Sequence, residues 1–477
     1  MSQPPSRLHP DRLFPAEPAT RAIARRLYKS IRNLPIISPH GHTDPRWFAE
    51  NAAFSDPASL LIAPDHYLLR MLYSQGVPLE DLGLAPLARA AHVPADPRAI
   101  WRLFARHYAL FRGTPSRLWL DWVLTEVFGL EAPLTPANAE RAFDRICETL
   151  AEPAFRPRAL FERFNIEVLA TTESPLDDLR HHAAIRASGW PGRVITTYRP
   201  DGVVDPETPG FLAHLATLGA MTGEDTLSWN GYLAAHRKRR AAFRAHGATA
   251  TDHGHPSAQT SDLDQRDAEA LFRSILEQAR GRTVDPAHAE TFRGQMLTEM
   301  ARMSLQDGLV LQIHPGAWRN HNAPLAERFG ANIGADIPKR TDFVGALRPL
   351  LNRFGNERSL TIIVFTLDES GYARELAPLA GHYPALKLGP AWWFHDSPEG
   401  LRRFREQTTE TAGFYNTVGF NDDTRAFFSI PARHDVARRS DCAFLARLVA
   451  EHRLPEDEAM QVAGDLAYHL PKATYRL

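Results

Sequence analysis

The chain of 477 residues has few cysteines, no charge excess and no long apolar run, and each absence excludes a class of protein. Its two cysteines exclude a disulfide framework and indicate a reducing compartment, so we expect a cytoplasmic protein. No apolar run approaches the ~20 residues that a membrane span requires, and no secretory signal follows the first methionine. The formal net charge of −1 indicates neither a nucleic-acid nor a membrane partner.

Runs rich in apolar and β-branched residues alternate along the chain with helical patterns. Most of these runs are continuous rather than alternating, which is typical of a parallel sheet buried on both faces. Eight such strands separated by helices predict an α/β fold, a (β/α)₈ TIM barrel. The predicted strands lie in LPIISPHGH from Leu34, FNIEVLATTESP from Phe164, RVITTYRPD from Arg193, GATATDHGH from Gly247, GLVLQIHPG from Gly308, SLTIIVFTLDES from Ser359, ALKLGPAWWF from Ala385 and FYNTVGFNDDTR from Phe414.

The spacing of the predicted strands divides the chain into four parts. Residues 1–51 form an N-terminal segment with strand one, and residues 52–163 form a helical subdomain inserted after that strand. Residues 164–435 complete the barrel, and residues 436–477 form helices packed on its outside. Within the insertion, Asp96-Pro97 reads as an N-cap followed by proline at the first helical position, which predicts a helix from residue 97.

Polar side chains recur at the carboxyl ends of the predicted strands. In a TIM barrel the active site lies on that face. Any one of these residues alone would be an ordinary capping or loop residue, but their recurrence on one face predicts a functional site. They are His40, His42, Glu173, Arg199, Asp201, Asp252, His314, Asp368, Trp393 and Asp423.

The clearest candidate site is the pair His40-Gly41-His42 at the end of strand one. Residues i and i+2 of a strand point to the same face, so the two imidazoles can converge. Strand eight neighbours strand one in a closed barrel, which brings Asp423 to the pair, although Asp422 is an immediate rival. Two histidines and a carboxylate suit one divalent metal ion, with zinc the first choice and manganese, iron, cobalt and nickel as alternatives. His314, from strand five, would lie beside it.

The motifs, taken in order, resemble those of the uronate isomerase (glucuronate isomerase) family of the amidohydrolase superfamily. The resemblance extends over nearly the whole chain. Two departures stand out: many members have Thr-Asp-Asp-Pro where this chain has Thr172-Glu173-Ser174-Pro175, and TLDESGY matches only loosely. The motifs are HGH from His40, DHYLLR from Asp65, TTESPLD from Thr171, YRPD from Tyr198, DHG from Asp252, HPGAWRNHN from His314, WWFHD from Trp392 and DTR from Asp423.

This resemblance implies an aldose–ketose isomerase that acts on a hexuronate, either D-glucuronate to D-fructuronate or D-galacturonate to D-tagaturonate. The implied catalytic residues are Asp423, Tyr67 and His314, and the implied metal ligands are His40, His42 and Asp423. The C6 carboxylate of the substrate needs a cation, for which arginine is the best bidentate partner. The implied substrate-binding residues are His66, Arg199, Arg319, Trp393, Arg425 and Asp252, with Arg199 the first candidate for the carboxylate.

Two other functions fit the same sequence. A mononuclear metal-dependent hydrolase on this fold is the main alternative, because strand six ends in VFTLDES without the histidine of dinuclear hydrolases. A non-catalytic sugar-acid binder is less consistent with the histidine pair and Asp423, since binding alone needs neither. No GxGxxG follows a predicted strand, which argues against a nicotinamide cofactor. The sequence leaves open whether the protein is a homo-oligomer.

Overall fold

A computed structural model describes residues 8–88, 96–281 and 283–477. The first seven residues of the predicted N-terminal segment and residues 89–95 of the predicted insertion therefore lie outside the described residues. Within the described ranges, no helix is both long enough and apolar enough to cross a membrane.

A curled parallel sheet of seven strands forms the centre of the fold. Its strands run in the order β1-β2-β3-β4-β5-β8-β9, and all neighbouring pairs are parallel. Buried apolar residues dominate these strands, as the continuous runs predict. The strands are β1 (Ile36–Ser38), β2 (Ile166–Glu173), β3 (Arg193–Tyr198), β4 (Ala250–His253), β5 (Val310–Ile313), β8 (Ile362–Val364) and β9 (Leu386–Leu388); β6 (Ala317–Trp318) and β7 (Ile337–Pro338) form a separate antiparallel ribbon.

The prediction of a regular eighth strand is wrong, although the segment occupies the expected place. Thr417 makes one parallel bridge to Leu388, and on the other side the His42 N–H donates to the Thr424 C=O at 3.0 Å. Gly419 has φ +78° and Asp423 has φ +35°, so the backbone leaves the extended conformation at both residues. The barrel is thus completed by single contacts rather than by a continuous ladder.

Helices fill the chain between β1 and β2, as the sequence predicts. The helix predicted from residue 97 begins there, with the Asp96 carboxylate accepting from the Arg98 N–H. A core of apolar side chains joins these helices to the first two strands through Ile36 and Ile166. The insertion is therefore packed onto the barrel. The helices between β1 and β2 are α2 (Pro45–Glu50), which precedes the predicted insertion, and, within it, α3 (Pro57–Leu61), α4 (His66–Tyr73), α5 (Pro97–His107), α6 (Pro115–Trp122), α7 (Ala139–Ala151) and α8 (Pro157–Arg163).

Several of the remaining helices pack on the strands of the sheet, and others pack on neighbouring helices. Helix α1 (Pro18–Ile31) shares an apolar core with α19 (Ile430–Ala450), and α19 spans the domain boundary predicted at residue 435. The others are α9 (Arg180–Ala187), α10 (Asp201–Val204), α11 (Phe211–Thr222), α12 (Trp229–Ala245), α13 (Gln265–Arg280), α14 (Pro286–Asp307), α15 (Ala323–Phe329), α16 (Val344–Phe354), α17 (Ala377–Ala380), α18 (Pro398–Ala412), α20 (Glu456–Gly464) and α21 (Leu470–Thr474).

Candidate active site

A cavity of about 410 Å³ lies where the carboxyl ends of the strands meet the helical insertion. Its volume falls in the range of small-molecule sites. The insertion contributes the start of α4, so residues from distant parts of the chain share one wall. Ten of the residues predicted from the sequence line it: His40, His42, His66, Tyr67, Arg199, His314, Arg319, Trp393, Asp423 and Arg425.

The histidine pair and Asp423 converge as predicted. The Asp423 Oδ1 lies 3.2 Å from the His42 Nε2 and 3.5 Å from the His40 Nε2. One ligand atom from each residue lies within 4.8 Å of the others. Asp422, the rival carboxylate, instead contacts the His434 Nε2 at 3.0 Å. The three side chains therefore offer two imidazole nitrogens and one carboxylate oxygen to a single point.

The protonation states in this cluster suit metal ligation. Burial lowers the pKa of His42, although the neighbouring Asp423 opposes that shift. Burial raises the pKa of the Asp423 carboxyl, but His40 and His42 together outweigh it and hold this pKa well below its usual value. A neutral imidazole and an ionised carboxylate are the forms that bind zinc and similar ions.

A chain of side-chain contacts leads away from the cluster through His314. Its ring stacks on His40 with centroids 4.7 Å apart, and its Nδ1 contacts the Asp252 Oδ1 at 2.6 Å. Asp252 is fully buried behind His314 and does not line the cavity, so the predicted substrate contact becomes a contact to His314 and Arg199. The His314 Nε2 has no hydrogen-bond partner in the described part of the chain.

The three candidate arginines differ in how their charges are compensated. Arg199 contacts two carboxylates, Asp201 at 2.8 Å and Asp252 at 3.1 Å. Arg319 contacts the Asp336 carboxylate at 2.8 Å. Arg425 forms no ion pair with any carboxylate in residues 8–88, 96–281 and 283–477.

The contacts of Arg425 are to neutral groups. Its Nη1 donates to the His66 Nε2 at 2.6 Å, and its Nη2 donates to the Asn332 Oδ1 at 2.9 Å. Burial lowers the pKa of His66 to about 3, so this imidazole is neutral. Burial also lowers the pKa of Arg425, and repulsion from Arg199 and Arg319 adds to this shift. The result is a positively charged wall that favours an anion.

Tyr67 is fixed by residues that no sequence motif connected to it. Its hydroxyl donates to the Asp396 Oδ1 at 2.8 Å, and the Arg433 Nη1 donates to the other oxygen of that carboxylate at 2.7 Å. The Arg433 guanidinium lies 3.6 Å above the centre of the Trp119 ring. Burial and the nearby Asp396 raise the pKa of Tyr67 well above its usual value, so its hydroxyl keeps its proton.

Several residues of the cavity wall escaped the sequence analysis. Asp336 holds Arg319 and accepts from the Asn320 N–H at 2.7 Å, while Arg433 comes from the first turn of α19. Neither belongs to a recognised motif, so no pattern in the sequence pointed to them. Asp396 stands in the WWFHD motif, which could have identified it.

Comparisons with known proteins agree with this geometry. The sequence profile of the glucuronate isomerase family matches residues 18–475. The chain is 69% identical to the uronate isomerase of Phenylobacterium zucineum, covering 99% of this chain and 97% of that protein. It is also 69% identical to the uronate isomerase of Rhizorhabdus wittichii over the full length of both. The crystal structure of glucuronate isomerase from Caulobacter crescentus superposes with a TM-score of 0.96 at 62% identity, covering 98% and 97% of the two chains.

Proposed function

The chain belongs to the glucuronate isomerase family and acts as an isomerase of a small uronate, and we propose that it moves the C2 hydrogen to C1 by proton transfer through a cis-enediol. The proposal depends chiefly on one observation: an ionised carboxylate, Asp423, lies beside the histidine pair in a cavity that also holds Arg425, which forms no ion pair with any described residue. The substrates we propose are D-glucuronate, D-galacturonate or both.

The residues present fit one divalent metal ion. His40, His42 and Asp423 would hold it, with zinc as first choice and manganese, iron, cobalt and nickel as alternatives. Such an ion supplies Lewis acidity that polarises a substrate oxygen. The Asp423 backbone at φ +35° supports a functional role, since non-glycine residues in the left-handed region concentrate at functional sites.

The chain's own residues can perform the proton transfers. The low pKa of Asp423 keeps it ionised and so able to accept a proton, although it also weakens Asp423 as a base. Its position beside the histidine pair is what assigns it the C2 proton, which it would return to C1. Tyr67 keeps its hydroxyl proton and lies in the cavity wall. Once the hydroxyl rotates away from Asp396, which accepts this proton in the structure, it can donate to the oxygen that gains negative charge. The His314 Nε2 is a second group able to exchange a proton with a substrate oxygen.

The substrate carboxylate fits the cationic wall best at Arg425. Arg199, the first candidate from the sequence, already contacts two carboxylates, and Arg319 contacts one. We therefore place Arg425 first, with Arg319 and Arg199 behind it. His66 orients Arg425, and the ring of Trp393 lies 6.2 Å from that of His66, where it can cover the sugar.

The hydrolase alternative is not favoured. The family profile covers most of the chain, and relatives at 69% identity carry the isomerase name. A sugar-acid binder would need neither the histidine pair nor Asp423.

Isomerisation in D₂O tests the proton route. We expect deuterium at C1 of the ketose, detected by NMR, because a proton held on a carboxylate exchanges with solvent. Asp423→Asn should lose turnover, and its metal content, measured in parallel, shows whether metal loss alone explains the result. Complete transfer of a C2 label to C1, together with activity in metal-loaded Asp423→Asn, would contradict the proposal and favour a hydride shift.

A further inference from the structure

A second histidine pair, His253-Gly254-His255, stands at the end of β4 and repeats the pattern of the pair at β1. Neither histidine of this pair lines the cavity described above. Asp201, at the start of α10, contributes a carboxylate to it, as Asp423 does to the first pair. One ligand atom from each of Asp201, His253 and His255 lies within 4.8 Å of the others.

The two imidazoles are buried and lack partners. The exposed fractions of His253 and His255 are 0% and 3%. In the described part of the chain, the His253 Nδ1 and both ring nitrogens of His255 have no hydrogen-bond partner. Leaving a buried polar atom unpaired costs about 1–3 kcal/mol, so three such atoms in one place call for a ligand.

The surroundings of His253 resemble those of a metal-binding histidine. Its Nε2 lies 3.2 Å from the Thr251 Oγ1. If that contact fixes the proton on Nε2, the lone pair is on Nδ1, which is the atom without a partner. Metal-binding histidines are typically oriented in this way, through a hydrogen bond from the other ring nitrogen.

The position of Asp201 depends on the glycine between the histidines. The Gly254 N–H donates to the two Asp201 oxygens at 3.1 and 3.2 Å. A Cβ on residue 254 would lie 2.1 Å from the Arg199 Nη2 and 2.8 Å from the Asp201 Oδ2. A side chain at residue 254 would therefore displace the present positions of Arg199 and Asp201, which the glycine permits.

The surrounding charge favours a cation. Four carboxylates, Asp201, Asp205, Glu207 and Glu290, lie in the network around His255, and Arg199 and Arg293 compensate them only in part. Arg199 is in addition shared with Asp252.

We propose that Asp201, His253 and His255 bind a divalent transition-metal ion, zinc by ligand type, at a site separate from the catalytic cluster. Two imidazoles and a carboxylate are a common zinc ligand set, and tetrahedral zinc holds its ligand atoms about 3.3 Å apart, so the three donors need to close only modestly. The ion would share Asp201 with Arg199 and would thereby connect this site to the Arg199–Asp252–His314 chain.

Zinc stoichiometry in the full chain tests the proposal. Protein stripped with a chelator is dialysed against zinc and its bound metal is counted. Asp201→Asn and His255→Gln should each bind one ion fewer than wild type, and His40→Ala should retain that ion. The buried His182, which lies outside both clusters, provides the control His182→Gln, which should bind as many ions as wild type.

Each outcome decides between the two sites. If Asp201→Asn and His255→Gln bind as much zinc as wild type, or if His40→Ala binds none, the second site does not exist. If wild type binds one ion that His40→Ala keeps and Asp201→Asn loses, the second site stands and the catalytic metal proposal fails. Should His255→Gln not fold by circular dichroism, cobalt(II) added to His40→Ala provides another readout: tetrahedral d–d absorption is expected, and its absence overturns the proposal.

Discussion

Replacing Arg425 by methionine tests where the substrate carboxylate binds. Methionine keeps much of the side-chain length but removes the charge and the hydrogen-bonding fork. The Arg425 guanidinium contacts the neutral groups of His66 and Asn332, so its charge is available to a ligand. A hydrogen bond to a charged group contributes about 1.5–3 kcal/mol. Its loss should therefore weaken uronate binding roughly 10- to 100-fold.

The same substitution should leave the fold intact. Burial, followed by repulsion from Arg199 and Arg319, lowers the pKa of Arg425, although Asp423 and Asp336 oppose this. A base whose pKa is lower in the folded state than in the unfolded state makes its charged form costly to fold. Removing that charge should therefore keep or raise the free energy of unfolding, so a loss of binding would not reflect unfolding.

Calorimetric binding of a hexuronate and of its uncharged amide separates charge recognition from general damage. Arg425→Met should weaken uronate binding and leave amide binding nearly unchanged. Arg425→Lys should lie between wild type and Arg425→Met, because it keeps the charge but not the planar fork. Arg70→Met is the matched control, since Arg70 is partly buried in the same helix as His66 but does not line the cavity. An equal loss for both ligands would refute the assignment.

Three further predictions follow from the site and its surroundings. His40→Ala should bind one divalent ion fewer than wild type by elemental analysis, and equal content would remove His40 from the metal site. Tyr67→Phe and Asp396→Asn should both lower kcat with little change in KM, roughly 100- to 10,000-fold as is usual for one proton-transfer group; a change in KM alone would make them binding residues. Burial raises the pKa of Glu173 to about 8, so the free energy of unfolding should fall as pH rises from about 4.5 to 8. In Glu173→Gln this fall, of order 1 kcal/mol per pH unit, should be smaller in urea titrations, and an unchanged slope would show that Glu173 is not responsible.

The sequence predicted the features that depend on local pattern. Continuous apolar runs identified the seven strands of the sheet, and the i, i+2 spacing of His40 and His42 identified their convergence. The prediction of the eighth strand failed because Gly419 adopts a positive φ, which a run of apolar residues in the sequence does not reveal. The contact between Tyr67 and Asp396 joins residues 329 positions apart, and the role of Asp336 depends on the course of the segment between α15 and β7. Neither spacing nor composition encodes such contacts.

The electrostatic difference among the three arginines is likewise invisible in the sequence, and it determines how the cavity can work. An arginine that already binds two carboxylates, such as Arg199, orients its neighbours and would attract a further anion only weakly. Arg425, two residues after Asp423, has no such partner within the described ranges. One short segment therefore carries both the proposed proton acceptor and the proposed carboxylate-binding group. Asp423 itself has φ +35°. This backbone conformation directs the carboxylate toward the histidines and also sets the position of the Arg425 side chain two residues later. The same local geometry therefore positions both ends of the substrate.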